Sequence, residues 1–338
     1  MPSQVTRPGV VVPVRVDPEG RTGPTPGQAR GPHWRRVGSG LYVPSSVGTD
    51  QLDQRIVEAV AGCAGAAAAT GWAALAWQGG RWFRRPGPVP VAIGDRRQVR
   101  ARAGVTLCED WLFEDDLREI DGLALTRAER SVTYEVRRAR SLFAAVQAID
   151  MAAYDDLVDL TSLTAYAAGL RGRPGTKQLR DALSRADENA WSPREVTMRL
   201  YWCDARPRDQ VRCNVPVFDL DGRHLVTPDL LDVANGVAGE YDGVVHLQPG
   251  TFRRDLNRDA LYRDLGIEVV TMMSSDARDL TDFLARLRGA YRRAAERRGA
   301  DRTWTVEQPP WWVNTSTVAA RRALDADQRA IWLRRRAA

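Results

Sequence analysis

The sequence predicts an α/β protein of two domains: an N-terminal winged-helix-like α+β domain, a helical middle segment and a C-terminal mixed-sheet domain. The chain has 338 residues and 43% apolar content, enough to bury two cores at a length where single domains tend to split. Short apolar runs bounded by glycine-containing turns, the pattern of strands, occur in both halves, at 89–125 and again at 224–273. Between them the apolar positions switch to helical spacing.

Residues 1–32 contain Pro8, Pro13, Pro18, Pro24, Pro26 and Pro32, which interrupt any periodicity, and a poorly ordered arm is expected. Its Gln28 and Arg30 are of the kind that such arms lay in a DNA groove. The domain at 33–155 opens on a basic hairpin-like run, His33 to Pro44, with glycines at the bend. Asp50 is expected to cap a helix reaching about Gly62, with Leu52, Ile56, Val57 and Val60 on one face. Thr70 is expected to cap a second helix, Gly71 to Gln78, closed by Gly79-Gly80. Two alanine-rich helices after a basic hairpin suggest a small winged-helix unit. Strands at Val89–Ile93, Gln98–Thr106 and Leu117–Leu125 would complete its sheet. Trp72, Leu75 and Trp77 read as core, because large apolar side chains on helices are usually buried.

From Thr126 the chain reads as helical. Thr126 and Glu129 have the spacing of a capping box, and helices are expected at 127–139, 141–154, 162–170 and 175–188. Gly172 to Gly175 would be a hinge between the halves, and the connector at 156–190 carries no visible chemistry.

The chemistry concentrates at 191–300. Thr227-Pro228-Asp229-Leu230-Leu231-Asp232 and Gly239-Glu240-Tyr241-Asp242-Gly243-Val244-Val245-His246 crowd acids and a histidine onto two short apolar runs. Side chains alternate along a strand, so Glu240 and Asp242 would share a face. With Asp229 on the neighbouring strand, three carboxylates converge. Two carboxylates about 4 Å apart repel by roughly 4 kcal/mol at an effective dielectric near 20, so the fold would need a shared proton or a cation between them. An oxygen-only site suits Mg2+ or Mn2+ better than zinc. Each of these residues also has a bland reading. Ser192 and Glu195 form a capping box with Pro193 at the first helical position. Asp232 reads as a turn residue, Asp242-Gly243 as hairpin punctuation, His246 as a satisfied core histidine and His224 as structural.

Farther on, a helix at Thr251–Leu265 carries Arg253, Arg254 and Arg258. A longer one at Ser275–Arg298 buries a stripe of Leu280, Phe283, Leu284, Leu287 and Tyr291, leaving Arg286, Arg292, Arg293 and Arg297 on a solvated face. The tail at 301–338 holds Pro309-Pro310-Trp311-Trp312, expected to dock across the domain.

The net charge of +6 and pI near 9.4 come from arginine rather than lysine. That favours bidentate phosphate contact and a DNA partner; an arginine-rich genome composition would produce the same balance. Cys63, Cys108, Cys203 and Cys213 show no Cys-x-x-Cys spacing, which argues against a structural zinc and for a reduced, cytoplasmic protein. The N-terminus lacks a signal-peptide layout. Ile56 to Trp77, the longest apolar stretch, contains Glu58 and Thr70 and reads as soluble helices rather than a membrane span. Nothing in the sequence points to an oligomeric state.

Pro228-Asp229, ten residues, then Glu240-Tyr241-Asp242 resembles the active-site signature of the PD-(D/E)XK nucleases. Its Glu-x-Asp-Gly-x-x-His form is similar to the branch related to very-short-patch-repair endonucleases. Ser192 to Glu195 stands where that branch has a glutamate-bearing helix, Asp255-Leu256-Asn257-Arg258 where it has an Asp-x-x-Arg helix, and Ile267 to Met273 where it has its closing strand. The resemblance implies a restriction-endonuclease-like fold and a Mg2+- or Mn2+-dependent DNA endonuclease. Asp229 and Glu240 would hold the metal, with Glu195, Asp242, His246 and Arg258 catalytic, and Arg253 and Arg254 against DNA. Asp242 stands where the family has a lysine. A second metal on Asp242, or His246 as base, would have to replace it; otherwise the site is inactive.

The N-terminal half resembles the helical-wing domain of AbiEi-type antitoxins, through Arg35 to Pro44, Thr70 to Leu75, and Asp121-Gly122-Leu123 leading to Thr126-Arg127. That resemblance implies DNA contact through Arg35, Arg36 and the helix of Trp72. It also implies an alternative function: a non-catalytic, DNA-binding transcriptional regulator of type IV antitoxin kind, with a cognate toxin.

Overall fold

The computed structural model describes residues 5–63, 67–94, 99–100, 102–208, 210–242, 249–297 and 301–337, with the side chains of 249–256, 335 and 337 outside the description. The chain is mixed α/β and divides into two compact units, residues 1–139 with 162–179, and residues 140–161 with 180–338.

The first unit holds β1 (Val14–Arg15), β2 (Trp34–Gly38), β3 (Leu41–Pro44), α1 (Leu52–Ala61), β4 (Ala68–Ala69), α2 (Gly71–Trp77), β5 (Val89–Ala92), β6 (Val105–Cys108), β7 (Leu117–Ile120), β8 (Leu123–Thr126) and α3 (Ala128–Arg138). The expected basic hairpin is β2–β3, and β1 adds to it antiparallel, in the order β1-β3-β2. The segment expected as a loose arm is therefore tied down. Both backbone groups of Val11 bond the Gln54 side chain at 2.8 and 2.9 Å, and Arg7 reaches Asp53, Asp121 and the Trp77 carbonyl. Such side-chain-to-backbone bonding needs no hydrophobic period, so periodicity could not reveal it.

The second sheet of this unit has the order β6-β5-β4-β8-β7. One strand expected at Leu117–Leu125 is really the hairpin β7–β8, because Asp121 (φ 53°) and Gly122 (φ 75°) adopt the left-handed conformations of a tight turn. Every residue of α2 is buried, so Trp72, Leu75 and Trp77 are core, as expected.

Of three expected caps, Thr70 does hold the N-cap position of α2, though its side chain makes no capping bond, and the other two are displaced by one residue. Gln51, not Asp50, precedes α1. The Thr126 hydroxyl bonds Thr70 at 2.8 Å and Ser131 at 2.7 Å, a buried three-hydroxyl chain, which takes both threonines away from helix capping. The Trp72 N–H is instead satisfied by the Glu135 carboxylate at 2.8 Å. Gly71 permits this approach, since a Cβ there would lie 2.4 Å from that carboxylate.

Next come α4 (Leu142–Tyr154), α5 (Leu160–Ala168) and α6 (Thr176–Leu183). The Gly172–Gly175 stretch is no hinge between units, because it lies inside the first. Gly175 sits against the Arg137 backbone, where a Cβ would meet the carbonyl oxygen at 2.5 Å, and Arg137 donates to the Pro174 carbonyl at 2.7 Å.

The second unit contains α7 (Pro193–Ala205), β9 (Val211–Cys213), β10 (Val217–Asp219), β11 (His224–Val226), β12 (Leu230–Asp232), β13 (Val237–Asp242), α8 (Pro249–Asp264), β14 (Glu268–Met273), α9 (Thr281–Glu296), β15 (Trp304–Thr305), α10 (Val318–Arg322) and α11 (Ala326–Trp332). Its main sheet has the order β14-β13-β12-β9, antiparallel except for the parallel β13/β14 pair, which α8 connects. A smaller sheet, β11-β10-β15, is antiparallel. Val217, Val226, Leu231, Ala238, Tyr262, Ile267 and Trp304 form a core between the two sheets and α8. The tail docks within this unit through Arg321, fully buried, which bonds Asp156 at 2.6 Å and the Ala153 carbonyl at 2.7 Å. Among the described residues no helix is long and apolar enough to cross a membrane.

Candidate functional site

Strands β12 and β13 run antiparallel with Leu230 opposite Gly239. One step further along the same register brings Asp229 opposite Glu240. On the other side the β9–β12 pairing continues to Asp229, whose carbonyl accepts the Asn214 N–H at 2.9 Å, and the Asp229 carboxylate accepts the Tyr241 N–H at 2.7 Å. The two acids thus meet across adjacent strands, as their spacing predicts.

Glu195 comes from the other direction, in the first turn of α7. Helix α7 lies on the sheet with Trp202 over Gly239, where a Cβ would stand 2.6 Å from the indole. The Ser192 hydroxyl caps the helix by accepting the Glu195 N–H at 3.2 Å. The Glu195 carboxylate accepts the Trp191 N–H at 2.9 Å and the Asn214 side-chain amide at 2.8 Å. So the Ser192 half of the expected capping box forms, while the Glu195 carboxylate bonds the Trp191 N–H rather than that of the cap residue, and its charge is felt by the acids.

The electrostatics report this convergence. Burial pushes the Glu240 carboxyl up to about 8, and the charges of Asp229 and then Glu195 push in the same direction, against the pull of Arg258 and Tyr262. Burial likewise raises Glu195 to about 7, Asp229 adds to the rise, and the bonds from Asn214 and Trp191 oppose it. Asp229 is raised by burial against the Tyr241 N–H and Arg258. Like charges in a poorly solvated site favour the neutral acid.

Helix α8 supplies the balancing groups. Arg258 pairs with Glu240 Oε1 at 2.6 Å and donates to the Thr227 carbonyl at 3.1 Å. Tyr262, one turn on and nearly fully buried, donates its hydroxyl to the same Glu240 oxygen. These bonds engage Oε2 of Glu195, Oδ2 of Asp229 and Oε1 of Glu240.

Among the described residues, no group of three or more His, Cys, Asp and Glu is gathered as a metal-holding set. The donor chemistry of the Asp229–Glu240 pair still fits a hard divalent cation, since Mg2+ typically takes one or two carboxylates and completes its shell with water and phosphate oxygens.

Of the remaining expected site residues, those described do not join this cluster. Asp242 is exposed at the end of β13 and lies opposite Met273 of a parallel neighbour, so it is not the corner of a hairpin. His246 lies outside the described residues. Arg253 and Arg254 lie on α8, with side chains outside the description. Arg35, expected at DNA, gives two bonds to Glu58, at 3.0 and 2.8 Å, in a half-buried pair. Arg36 is exposed, with its Nε on the Gly38 carbonyl. Asp232 is fully buried and organises its turn by accepting the Asn235 N–H at 3.0 Å, and also accepts the Tyr291 hydroxyl at 2.8 Å. His224 bonds Thr227 at 2.9 Å and stacks on Trp312.

Sequence reading missed Tyr262, Asn189 and Asn214. Arg258 and Tyr262 are four apart on one helix, hence on one face, and that spacing was a usable signal. Asn214 sits at φ 47°, the left-handed region asparagine tolerates, and donates to both Glu195 and the Asn189 carbonyl. No local pattern announces that pair.

No protein family, curated protein or solved structure matches the chain in comparison.

Proposed function

We propose that the chain is a metal-dependent DNA endonuclease of PD-(D/E)XK type, acting at Glu195, Asp229 and Glu240. The observation that carries this reading is the meeting of Asp229 and Glu240 across β12 and β13, with Glu195 close enough to add its charge at Glu240 and to feel that of Asp229. The element order supports it. A glutamate-bearing helix, antiparallel strands bearing the acids, a crossover helix with an arginine and a parallel closing strand follow one another as α7, β9, β12, β13, α8 and β14, with the β10–β11 hairpin inserted.

Asp229 and Glu240 would hold Mg2+ or Mn2+ through the carboxylate oxygens not engaged above; when bound, the cation supplies charge stabilisation at the phosphoryl oxygens. The chain's own groups do the rest. Glu195, raised to about 7, accepts a proton of the attacking water as the water oxygen bonds to phosphorus; the phosphorus–ester oxygen bond breaks and the leaving oxygen takes a proton from solvent water. Arg258, paired with Glu240 here, would turn to a phosphate oxygen of the substrate, Glu240 then being held by Tyr262 and by whatever cation the two acids bind. Tyr262 keeps Glu240 oriented.

Incubating the purified protein with supercoiled plasmid and Mg2+ or Mn2+ tests this. Nicking is expected, reduced about 10²–10³-fold in Glu240→Gln; no nicking by the native chain sinks the proposal.

A second reading, a DNA-binding regulator of antitoxin kind with a cognate toxin, is favoured by Asp242, which stands exposed where the nuclease lysine belongs, and by Arg258, which already neutralises Glu240. A gel shift that persists in chelator, repression of a promoter and the absence of nicking are its expected signature.

A further inference from the structure

Beside the acids lies a cavity of about 1010 Å³, at the upper end of the ~300–1,000 Å³ usual for ligand pockets. It lies wholly within the second unit, and four tryptophans line it: Trp191, Trp311, Trp312 and Trp332. Three of these form a nest of rings. Trp312 meets Trp311 edge-on at 5.6 Å and Trp332 edge-on at 5.1 Å between centroids, and Trp311 is 54% exposed. The docking expected of the Pro-Pro-Trp-Trp segment therefore leaves an indole face open within a concave site. Arg212 and Arg334, both exposed, also line the cavity.

The acids that line it are committed to the protein. Glu188 accepts the Leu160 and Val318 N–H groups at 2.7 and 2.6 Å, Asp159 holds Arg322 at 3.0 Å, and Asp187 accepts the Asn189 N–H at 2.7 Å. The cavity shares a wall with the carboxylate cluster. Trp191 and Asn214, which line it, bond Glu195, and the carbonyl of Thr227, another lining residue, holds Arg258.

We propose that this cavity takes unpaired nucleobases of a DNA strand, stacked against Trp311 and Trp332, with Arg212 and Arg334 on the flanking phosphates. The exposed Trp311 indole and the partly buried Trp332, in a concave, arginine-edged site, suit bases without regard to sequence, since every base has a π face. The proposal builds on the endonuclease reading and narrows its substrate to DNA that is single-stranded or locally unpaired.

The test is binding of labelled oligonucleotides to the full chain in EDTA, followed by fluorescence anisotropy, so that hydrolysis plays no part. Oligothymidylate is expected to bind at least about fivefold more tightly than an abasic strand or a duplex of equal length, and Trp311→Ala to lose about fivefold or more, the effect of one stack, with Trp311→Phe restoring most of it. Equal binding of the abasic strand or the duplex overturns the proposal on the native chain alone, whatever the variants do. Thymidine monophosphate binding as tightly as the strand reassigns the cavity to a small molecule, and tighter binding of oligouridylate reassigns it to RNA; either overturns the DNA proposal. Base-dependent binding without plasmid nicking leaves the cavity standing and removes the endonuclease; nicking without base-dependent binding does the reverse.

Discussion

Glu240 meets opposed demands: burial and two neighbouring carboxylates favour its neutral form, while Arg258 and Tyr262 hold the charged one, and the balance lies at about 8 against an ordinary 4.5. Between those values the native state holds a proton that the unfolded chain has released, so stability falls as pH rises through that window and levels off above about 8. Glu240→Gln should flatten this slope, and added Mg2+ should flatten it in the native protein. Thermal unfolding followed from pH 4 to 9 checks both; a native curve that rises across that window sinks the assignment. Asn214→Ala removes the donor shared by Glu195 and Asn189 and places a Cβ residue without a polar side chain at φ 47°. A loss of about 1–3 kcal/mol is expected in urea unfolding. At this scale Asp229 and Glu240 were legible because their separation matches a strand, a turn and a strand. Asn214 was not, because its role depends on a helix whose position no local pattern encodes.

Helix α7 is held by packing rather than by its cap alone. Trp202 rests on Gly239 and donates its indole N–H to Tyr291 at 3.0 Å. Gly239→Ala must push the indole away, and overpacking of this kind costs about 1–3 kcal/mol. Because Glu195 rides on the same helix, nicking should fall more than the lost stability explains, which comparison of melting temperature with cleavage rate would reveal. Arg199, also on α7, pairs with the fully buried Asp150 at 2.5 Å. Arg199→Met leaves that acid unpaired and should cost about 3–5 kcal/mol, much of it recovered in the double variant with Asp150→Leu, as read by denaturant unfolding. The helix starts at Ser141 and Ser192 were legible because both serines do cap. The start after Thr70 was legible too, although the Thr70 and Thr126 hydroxyls bond each other rather than a helix N–H, and the starts proposed at Asp50 and Thr126 fell one residue early.

For the whole molecule, the 49 lysines and arginines overstate what is free to meet phosphate. Arg35 is held by Glu58, Arg293 and Arg297 by Glu268, and Arg286 by Asp276. The affinity for DNA should therefore fall with salt, at roughly 0.9 log units per log unit for each phosphate neutralised, with a slope set by a handful of arginines rather than by the full complement. Anisotropy titrations at several salt concentrations measure it, and a slope of zero would rule out a phosphate contact. The crossing of the chain between units at 139/140, 161/162 and 179/180 had no sequence signal, because helices that straddle two cores have the same period as helices within one. By itself the sequence determined the elements with a strong local period and the pairing of Asp229 with Glu240, since strand alternation and turn length are properties of neighbouring residues. Only the tertiary structure decided that Glu195, Tyr262 and Arg258 surround that pair and that tail tryptophans wall a cavity beside it, because contacts between distant segments depend on how complementary surfaces exclude water together.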